Sequence, residues 1–161
     1  MRYYTKIASI IDELFLVAED EKLSVIHLGE ADFHKHEDTT MITYQPELPC
    51  LKEAAQQLQE YFAGKRKTFN LQLSVCGTSF QKSVWEQLSL IPFGETRSYQ
   101  DIAVAIDNPK AVRAIGQANK ANRYPIIIPC HRVIGKNHSL TGYAGTRVDI
   151  KEKLLEFEGA L

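Results

Sequence analysis

Residues 125–133 of the chain have the sequence Pro-Ile-Ile-Ile-Pro-Cys-His-Arg-Val, an apolar run with a proline at each end that leads into a cysteine and a histidine. The run predicts a buried extended segment, because proline fixes φ and prevents it from continuing as a helix. Such a segment would hold Cys130 in one place with His131 beside it. A thiol attacks as its thiolate, and a neighbouring imidazole favours that form. The stretch therefore predicts a reactive cysteine; the alternative is that Cys130 is a small buried hydrophobe.

Two short helices are predicted upstream of this stretch. Ser98 and Asp101 have the spacing of a capping box, which predicts a helix over residues 99–106. Asn108, followed by a proline, predicts the cap of a second helix over residues 110–120. Two helices joined by such a tight turn are typical of a helix-turn-helix. The pattern alone leaves two interpretations open, a DNA-binding element or a helical hairpin packed for stability.

The second of these helices is predicted to have a basic face. The members of this face recur at i, i+3, i+7 and i+10, and they are Lys110, Arg113, Gln117 and Lys120. A strip of small side chains lies beside them, formed by Ala111, Ala114 and Ala118. The wider stretch 108–147 has seven Lys or Arg residues and no Asp or Glu, although the formal net charge of the chain is −1. This distribution indicates an anionic partner, with a solvated basic surface as the alternative.

Several of these motifs occur in one order along about the last 85 residues, which makes their combination far more specific than any single motif. The motifs are Ser98-Tyr99-Gln100, Asn108-Pro109-Lys110-Ala111, Arg113-Ala114-Ile115-Gly116, Pro129-Cys130-His131-Arg132-Val133 preceded by Asn122 and Pro125, Gly142-Tyr143-Ala144-Gly145, and Glu158-Gly159. In this order they resemble the signature of the O6-alkylguanine-DNA alkyltransferases, also called methylated-DNA–protein-cysteine methyltransferases.

The resemblance implies direct-reversal DNA repair by a single-turnover methyltransferase. Cys130 would take the alkyl group from O6 of guanine in double-stranded DNA, after the nucleotide has been flipped out of the stack. The transfer would be irreversible and would need no cofactor and no metal. Activity on O4-alkylthymine and the preferred size of the alkyl group stay open.

The same resemblance assigns the catalytic roles. The catalytic set would be Cys130, His131, Glu158, Asn122 and Tyr99. His131 would take the thiol proton through a bridging water, since adjacent residues point in different directions, and Glu158 would hold and charge the imidazole. Asn122 would brace the turn that carries the cysteine. Tyr99 would drive the nucleotide out and donate a hydrogen bond to the departing guanine.

The DNA contacts also follow from the resemblance. Arg113 would fill the gap left by the flipped base, with its helix in the minor groove. Tyr143 would lie along the base, and Gln100 and Asn108 would contact the DNA backbone. Tyr99 would contact the rotated nucleotide. The chain departs from some members at Ala144, where they have a serine, and in the loop of residues 135–138.

The N-terminal half predicts a small α/β unit without a catalytic constellation. Apolar runs at residues 14–18 and 23–28 predict a β-hairpin, the polar residues 29–40 predict a loop, and alternating apolar residues at 69–73 predict a strand. Pro49 predicts the start of a helix. The apolar face of that helix comprises Leu51, Ala55, Leu58 and Phe62. Its predicted role is that of a scaffold.

A domain boundary is predicted near residues 76–78, between a scaffold domain (1–75) and a DNA-binding alkyltransferase domain (76–161). Ser79 predicts the cap of the first helix of the second domain, and Ile150, Leu154 and Phe157 share one face of the last helix. The predicted class is α+β. The resemblance implies a ribonuclease H-like N-terminal unit with a β-sheet and a mostly helical, winged-helix-like C-terminal domain.

The potential metal ligands of this half and the domain boundary are Cys50, Cys76, His27, His34 and His36. Their spacing matches no usual structural zinc site, so no metal is predicted, although some members of the resembled family carry zinc in this half. Three widely spaced cysteines, with no secretory signal and no membrane span, predict a cytoplasmic protein. We expect a monomer, and cooperative binding along DNA stays open.

Three other functions compete with repair. An alkyltransferase-like protein would recognise alkylguanine without removing the alkyl group, but such relatives lack the reactive cysteine. A cysteine hydrolase would use Cys130, His131 and Glu158, but it leaves Tyr99 and Arg113 without a role. A regulator that binds DNA through the helix-turn-helix alone leaves residues 129–133 unexplained.

Overall fold

The computed structural model describes residues 1–135 and 148–161. The chain divides into two compact units, Met1–Val75 and Cys76–Leu161. None of the helices in the described ranges combines the length and the apolar composition that crossing a membrane requires.

The N-terminal unit is built on a four-stranded sheet. The strands are β1 (Arg2–Ile7), β2 (Leu14–Glu19), β3 (Lys22–Leu28) and β4 (Ile42–Tyr44), in the order β3-β2-β1-β4. All neighbours are antiparallel except β1 and β4, which are parallel. The predicted hairpin is confirmed: Asp20 and Glu21 both have positive φ (53° and 63°), as the two-residue turns that suit the twist of a hairpin require.

Two helices pack in this unit, α1 (Glu30–His36) and α2 (Pro49–Phe62). The loop predicted over residues 29–40 is therefore wrong in part. α1 forms because Phe33, its one buried residue, packs into a cluster with Phe15 and Val17, with the two phenyl rings 4.5 Å apart between centroids. This tertiary contact outweighs the polar composition of the segment.

The helix α2 begins at Pro49 as predicted, but its buried face is rotated. The side chains that pack inward are Leu51, Ala54, Gln57, Leu58 and Tyr61. Ala55 and Phe62 are only half-buried, so the predicted apolar face was correct at two of its four positions. The strand predicted over residues 69–73 is wrong: only Leu73 forms a bridge, beside Leu23 at the sheet edge, and Ser74 donates a hydrogen bond to the Leu23 carbonyl at 2.9 Å.

The C-terminal unit is mostly helical. Its helices are α3 (Ser79–Ser89), α4 (Tyr99–Ala105), α5 (Val112–Lys120) and α6 (Val148–Phe157), with a parallel pair of two-residue strands, β5 (Arg97–Ser98) and β6 (Val133–Ile134). The core comprises Val84, Trp85, Leu88, Ile115, Ile150, Leu154 and Leu155, among others. The α+β class, with a small sheet in one unit and a helical second unit, is confirmed.

The helix-turn-helix consists of α4 and α5. The capping box that opens α4 is confirmed, since Asp101 donates from its backbone to Ser98 Oγ and accepts from the Ser98 backbone. The predicted cap of α5 is wrong: α5 starts at Val112 behind Ala111, and Asn108 lies in the turn. Asp107 has φ 58°, which lets the Asn108 N–H reach back to the Ala103 carbonyl and close α4. The cap of α3 also lies one residue earlier than predicted, at Thr78.

Candidate active site

The apolar stretch before Cys130 is buried, as predicted, but it is a turn and not an extended segment. Ile126 has φ 76°, and the Ile128 N–H donates to the Tyr124 carbonyl at 2.8 Å. The side chains of Ile126 and Ile128 are at most 5% exposed. The positive φ is costly for a β-branched residue, by about 1–2 kcal/mol, and burial of the side chain offsets it. Asn122 braces the turn by donating from Nδ2 to the Ile128 carbonyl (2.8 Å) and accepting from the Tyr124 N–H (3.0 Å).

Cys130 begins a single 3₁₀ turn, Cys130–Arg132, and its side chain is buried. Burial raises the pKa of the Cys130 thiol to about 11; a hydrogen bond with the Asn122 side chain and the charge of Lys151 act in the opposite direction. The Cys130 carbonyl also accepts from Asn119 Nδ2, on α5, at 3.3 Å. At rest and near neutral pH, the sulfur is therefore protonated and fixed by polar neighbours from two elements.

The histidine next to Cys130 belongs to a buried ionic network. His131 Nε2 lies 2.8 Å from Glu158 Oε2, just past the end of α6. Arg132 donates to the same carboxylate twice, from Nε to Oε1 (2.8 Å) and from Nη2 to Oε2 (2.9 Å), and from Nη1 to the Ile91 carbonyl (2.7 Å). Glu158 thus receives the bidentate arginine that a buried carboxylate needs.

The network determines which nitrogen of His131 can accept a proton. A carboxylate paired with arginine is ionised and accepts only, so His131 Nε2 is the donor and Nδ1 carries the lone pair. Burial lowers the pKa of His131, and the hydrogen bond with Glu158 offsets this only in part. The imidazole is neutral at rest and fixed as the tautomer that can act as a base through Nδ1.

Tyr99 approaches this region through the small strand pair. β5 pairs with β6, with Ser98 opposite Ile134, so the first residue of α4 lies beside the segment that leaves the 3₁₀ turn. The half-buried Tyr99 ring lies 5.8 Å from Lys151 Nζ, centroid to nitrogen. Lys151 is fully buried on α6, and burial lowers its pKa to about 8 while the nearby Cys130 acts in the opposite direction. A buried cation therefore neighbours both the tyrosine and the thiol.

Four of the five residues predicted to contact DNA lie on the helix-turn-helix: Tyr99, Gln100, Asn108 and Arg113. Arg113 is exposed on α5, and Asn108 is exposed in the turn. Gln100 donates from Nε2 to the Pro109 carbonyl at 3.2 Å, so it also ties α4 to the turn. Ala118 is buried, which removes it from the predicted slim strip. Tyr143 and Ala144 lie outside the described residues.

Sequence reasoning missed three residues that the structure brings to the site: Arg132, Lys151 and Asn119. Arg132 was part of the quoted signature but had no role. Lys151 could have been found from helical period, because it falls four residues before Leu155 and seven before Glu158, on the inward face of α6. No sequence signal indicated the bond from Asn119 to the Cys130 carbonyl.

Both halves of the chain match models of one protein family. The model described as 6-O-methylguanine DNA methyltransferase, DNA binding domain, matches residues 79–160, and the model described as 6-O-methylguanine DNA methyltransferase, ribonuclease-like domain, matches residues 2–75. The chain belongs to the 6-O-methylguanine DNA methyltransferase family. The resemblance inferred from the motifs is thereby confirmed.

Individual members of this methyltransferase family match over almost the whole chain. The constitutive methylated-DNA–protein-cysteine methyltransferase of Bacillus subtilis is 53% identical over 158 residues, which are 98% of this chain and 96% of the relative. The methylated-DNA–protein-cysteine methyltransferase of Methanosarcina acetivorans is 45% identical over 98% of this chain and 99% of its own length.

Solved structures agree with this assignment. The crystal structure of the Mycobacterium tuberculosis O6-methylguanine methyltransferase has a TM-score of 0.86 at 40% identity, covering 99% of this chain and 94% of that one. A structure of M. tuberculosis OGT in complex with DNA has a TM-score of 0.84 at 40% identity, covering 98% and 93%.

Proposed function

We propose that this methyltransferase repairs DNA by direct reversal. Cys130 takes the alkyl group from O6 of a guanine that has been rotated out of the duplex, and keeps it permanently. The main support is the position of Cys130, in a domain that belongs to this family, directly before the buried network of His131, Arg132 and Glu158.

The network supports a route for the thiol proton. His131, neutral and carrying its lone pair on Nδ1, takes the proton through a bridging water, and Glu158 stabilises the imidazolium that forms. Lys151 stabilises the thiolate by its charge. Because the resting thiol of Cys130 has a pKa of about 11, the sulfur stays protonated until a substrate occupies the site, which limits its reaction with other electrophiles.

The transfer itself balances without any cofactor. The sulfur–carbon bond forms as the carbon–O6 bond breaks, and the electron pair stays on the guanine. Tyr99 donates its phenolic proton to the departing base, and the proton lost by the thiol returns to the phenolate. One thiol and one O6-alkylguanine therefore give one S-alkylcysteine and one guanine, and the thioether, with its poor leaving group, is not hydrolysed.

Access to the base requires nucleotide flipping, at a cost of a few kcal/mol. The exposed Arg113 fills the gap in the base stack from the minor groove. The minor groove distinguishes base pairs less well than the major groove, but a protein that repairs guanine in any sequence context does not need that distinction. Asn108 and Gln100 contact phosphates; Gln100 has a second N–H besides the one that binds Pro109. To Tyr143, which lies outside the described residues, we assign contact with the base.

The test is to incubate the protein with a duplex that contains one O6-methylguanine and to weigh the peptide that carries Cys130. We expect one methyl group per protein molecule, retained after the DNA is removed. A parallel duplex with O4-methylthymine tests the second substrate. Turnover of several lesions per protein, or methylation of another residue, would contradict the proposal.

Two variants separate chemistry from recognition. Cys130→Ala should bind the damaged duplex and leave the lesion intact, whereas an alkyltransferase-like binding protein would lose nothing by this change. Arg113→Ala should slow transfer from duplex DNA far more than transfer from the free base O6-benzylguanine, because the free base needs no flipping. An equal loss on both would assign Arg113 to the chemistry and not to the duplex.

We further propose that the protein acts as a monomer in the cytoplasm, with Met1–Val75 as scaffold and Cys76–Leu161 as the DNA-binding unit. Its three cysteines are all free thiols, which is usual in a reducing compartment. Sedimentation of the protein alone and on duplexes of increasing length would measure the number of copies per DNA and any cooperativity.

A further inference from the structure

The N-terminal unit contains its own histidine–glutamate–arginine network, away from the methyl-transfer chemistry. Arg2 donates to Glu37 from Nε to Oε1 (3.0 Å) and from Nη2 to Oε2 (2.7 Å). His27 Nε2 lies 2.7 Å from the same Oε2, and the side chains of His27 and Glu37 are only 7% and 5% exposed. Because the paired carboxylate only accepts, the neutral form of His27 has Nε2 as the donor and the lone pair on Nδ1.

That lone pair faces other metal-binding groups. His27 Nδ1 lies 3.7 Å from Asp32 Oδ2, and His36 Nδ1 lies 3.0 Å from Asp32 Oδ1. One ligand atom from each of the three residues falls within 4.8 Å of the other two. The rings of His27 and His36 are parallel, with their centroids 5.7 Å apart. His27, near the end of β3, therefore converges on one point with Asp32 and His36 of α1.

We propose that His27, Asp32 and His36 form a binding site for one divalent transition-metal ion of the zinc class. Two imidazole nitrogens and one carboxylate oxygen suit zinc, cobalt, nickel or copper, and do not suit magnesium or calcium, which take oxygen ligands. Water completes the coordination, since the side chains of Asp32 and His36 are open to solvent.

The surrounding hydrogen bonds belong to the site as well. Metal-binding histidines commonly donate their other ring N–H to a carboxylate, and Glu37 accepts that bond from His27. The Leu28 N–H donates to Asp32 Oδ2 at 2.9 Å and holds the carboxylate toward the histidines. Bonds to zinc of about 2.0–2.2 Å require the three ligand atoms to draw together. His36, being exposed, makes most of that movement and ties α1 to β3.

A second pair on the same helix provides the control. His34 and Glu30 repeat the spacing of His36 and Asp32, with His34 Nε2 3.4 Å from Glu30 Oε1, and the side chains of His34 and His36 are equally exposed at 53%. If both were ordinary surface ion pairs, His34–Glu30 and His36–Asp32 would respond to a metal ion in the same way. Asp32 differs from Glu30 in having the buried His27 beside it and in accepting a hydrogen bond from the Leu28 N–H.

The experiment is a titration of the metal-free protein with Co²⁺ and Zn²⁺. We expect one ion per chain, a visible cobalt spectrum typical of nitrogen and oxygen ligands, and a zinc-dependent rise of the melting temperature. His36→Ala and Asp32→Asn should each weaken binding by more than the roughly 10- to 100-fold typical of changes outside the ligand set. His34→Ala should bind as tightly as the unaltered chain.

Three results would overturn the proposal: no binding of either ion, equal weakening by His34→Ala and His36→Ala, or a sulfur-to-cobalt charge-transfer band that marks a cysteine ligand. Because His34 and His36 are both exposed, neither variant is expected to unfold the protein, and circular dichroism of the metal-free variants checks this. Measuring methyl transfer by the metal-free protein keeps this proposal separate from the repair proposal.

Discussion

The two units of the molecule contain nearly the same ionic network in different surroundings. In each, an arginine pairs bidentately with a glutamate whose Oε2 also binds a histidine Nε2: Arg132, Glu158 and His131 in one, Arg2, Glu37 and His27 in the other. The C-terminal network is sealed, with both Glu158 and His131 at 0% side-chain exposure, whereas Arg2 is 31% exposed.

This comparison separates what the network does from what its surroundings do. In both units it fixes one tautomer and leaves the lone pair on Nδ1. Around His131 the residues nearby are a thiol, a buried lysine and a tyrosine, which suit proton transfer and alkylation. Around His27 they are a carboxylate and a second imidazole, which suit a metal ion. We therefore propose two chemistries for one arrangement.

The largest expected difference concerns the two glutamates. Glu158→Gln should destabilise the C-terminal unit by about 3–5 kcal/mol, because it leaves Arg132 buried without its counter-charge. Glu37→Gln should cost only about 1–2 kcal/mol, since water reaches Arg2. Guanidinium unfolding followed by the fluorescence of Trp85, the single tryptophan, reports the C-terminal unit, and amide exchange in β1 and β2 reports the other. Equal costs would mean that burial does not distinguish the networks.

The second prediction concerns Lys151, a buried lysine beside the C-terminal network. Among the described residues, no buried lysine lies beside the N-terminal network. Lys151→Met should slow methyl transfer at least about tenfold and stabilise the fold at pH 7 by about 1–3 kcal/mol, since the buried ammonium costs free energy wherever it is charged. The stabilisation should shrink as the pH rises from about 8 toward 10.5, where the folded protein already holds a neutral Lys151. The exposed Lys153→Met, on the same helix, is the matched control and should change neither quantity.

The third prediction follows from the lowered pKa of His131. Below its ordinary value of 6.5, the unfolded chain binds a proton that the folded chain does not, so the stability of the C-terminal unit falls as the pH decreases. The expected slope is at most about 1.4 kcal/mol per pH unit. Urea unfolding of the unaltered protein and of His131→Asn, followed by Trp85 between pH 7 and 5, measures it. The same slope in both proteins would assign the acid sensitivity to other groups.

The smallest effect is expected for Arg2→Lys. A lysine keeps the charge beside Glu37 but cannot form the bidentate pair, and at a partly exposed site this costs less than about 1 kcal/mol. Methyl transfer should be unchanged. Thermal unfolding followed by circular dichroism measures the cost, and a loss as large as that of Glu37→Gln would show that the N-terminal network depends on guanidinium geometry and not on charge alone.

Sequence reasoning succeeded where local chemistry decides the structure. The capping box of Ser98 and Asp101, the start of α2 at Pro49 and the hairpin turn at Asp20 and Glu21 depend on neighbours within a few residues. It failed at α1, which one tertiary contact of Phe33 stabilises, and at Ile126, whose positive φ no apolar pattern indicates. Distant contacts decide both.

The candidate site divides in the same way. Cys130, His131 and Glu158 could be named from the sequence, but not the bidentate pairing of Arg132 with Glu158 or the burial of Lys151, since a basic residue in a helix pattern is usually assigned to the surface. The convergence of His27, Asp32 and His36 depends on how α1 packs on β3. Because α1 itself was not predicted, this site could not be.

Glu158 follows His131 by 27 residues. A ribosome therefore delivers Cys130 before the acid that orients His131, and in a chain that still lacks Glu158 the imidazole can exchange between tautomers. Under the proposed mechanism, Glu158 orients His131 only when α6 has docked, so the capacity for methyl transfer follows the completion of the fold.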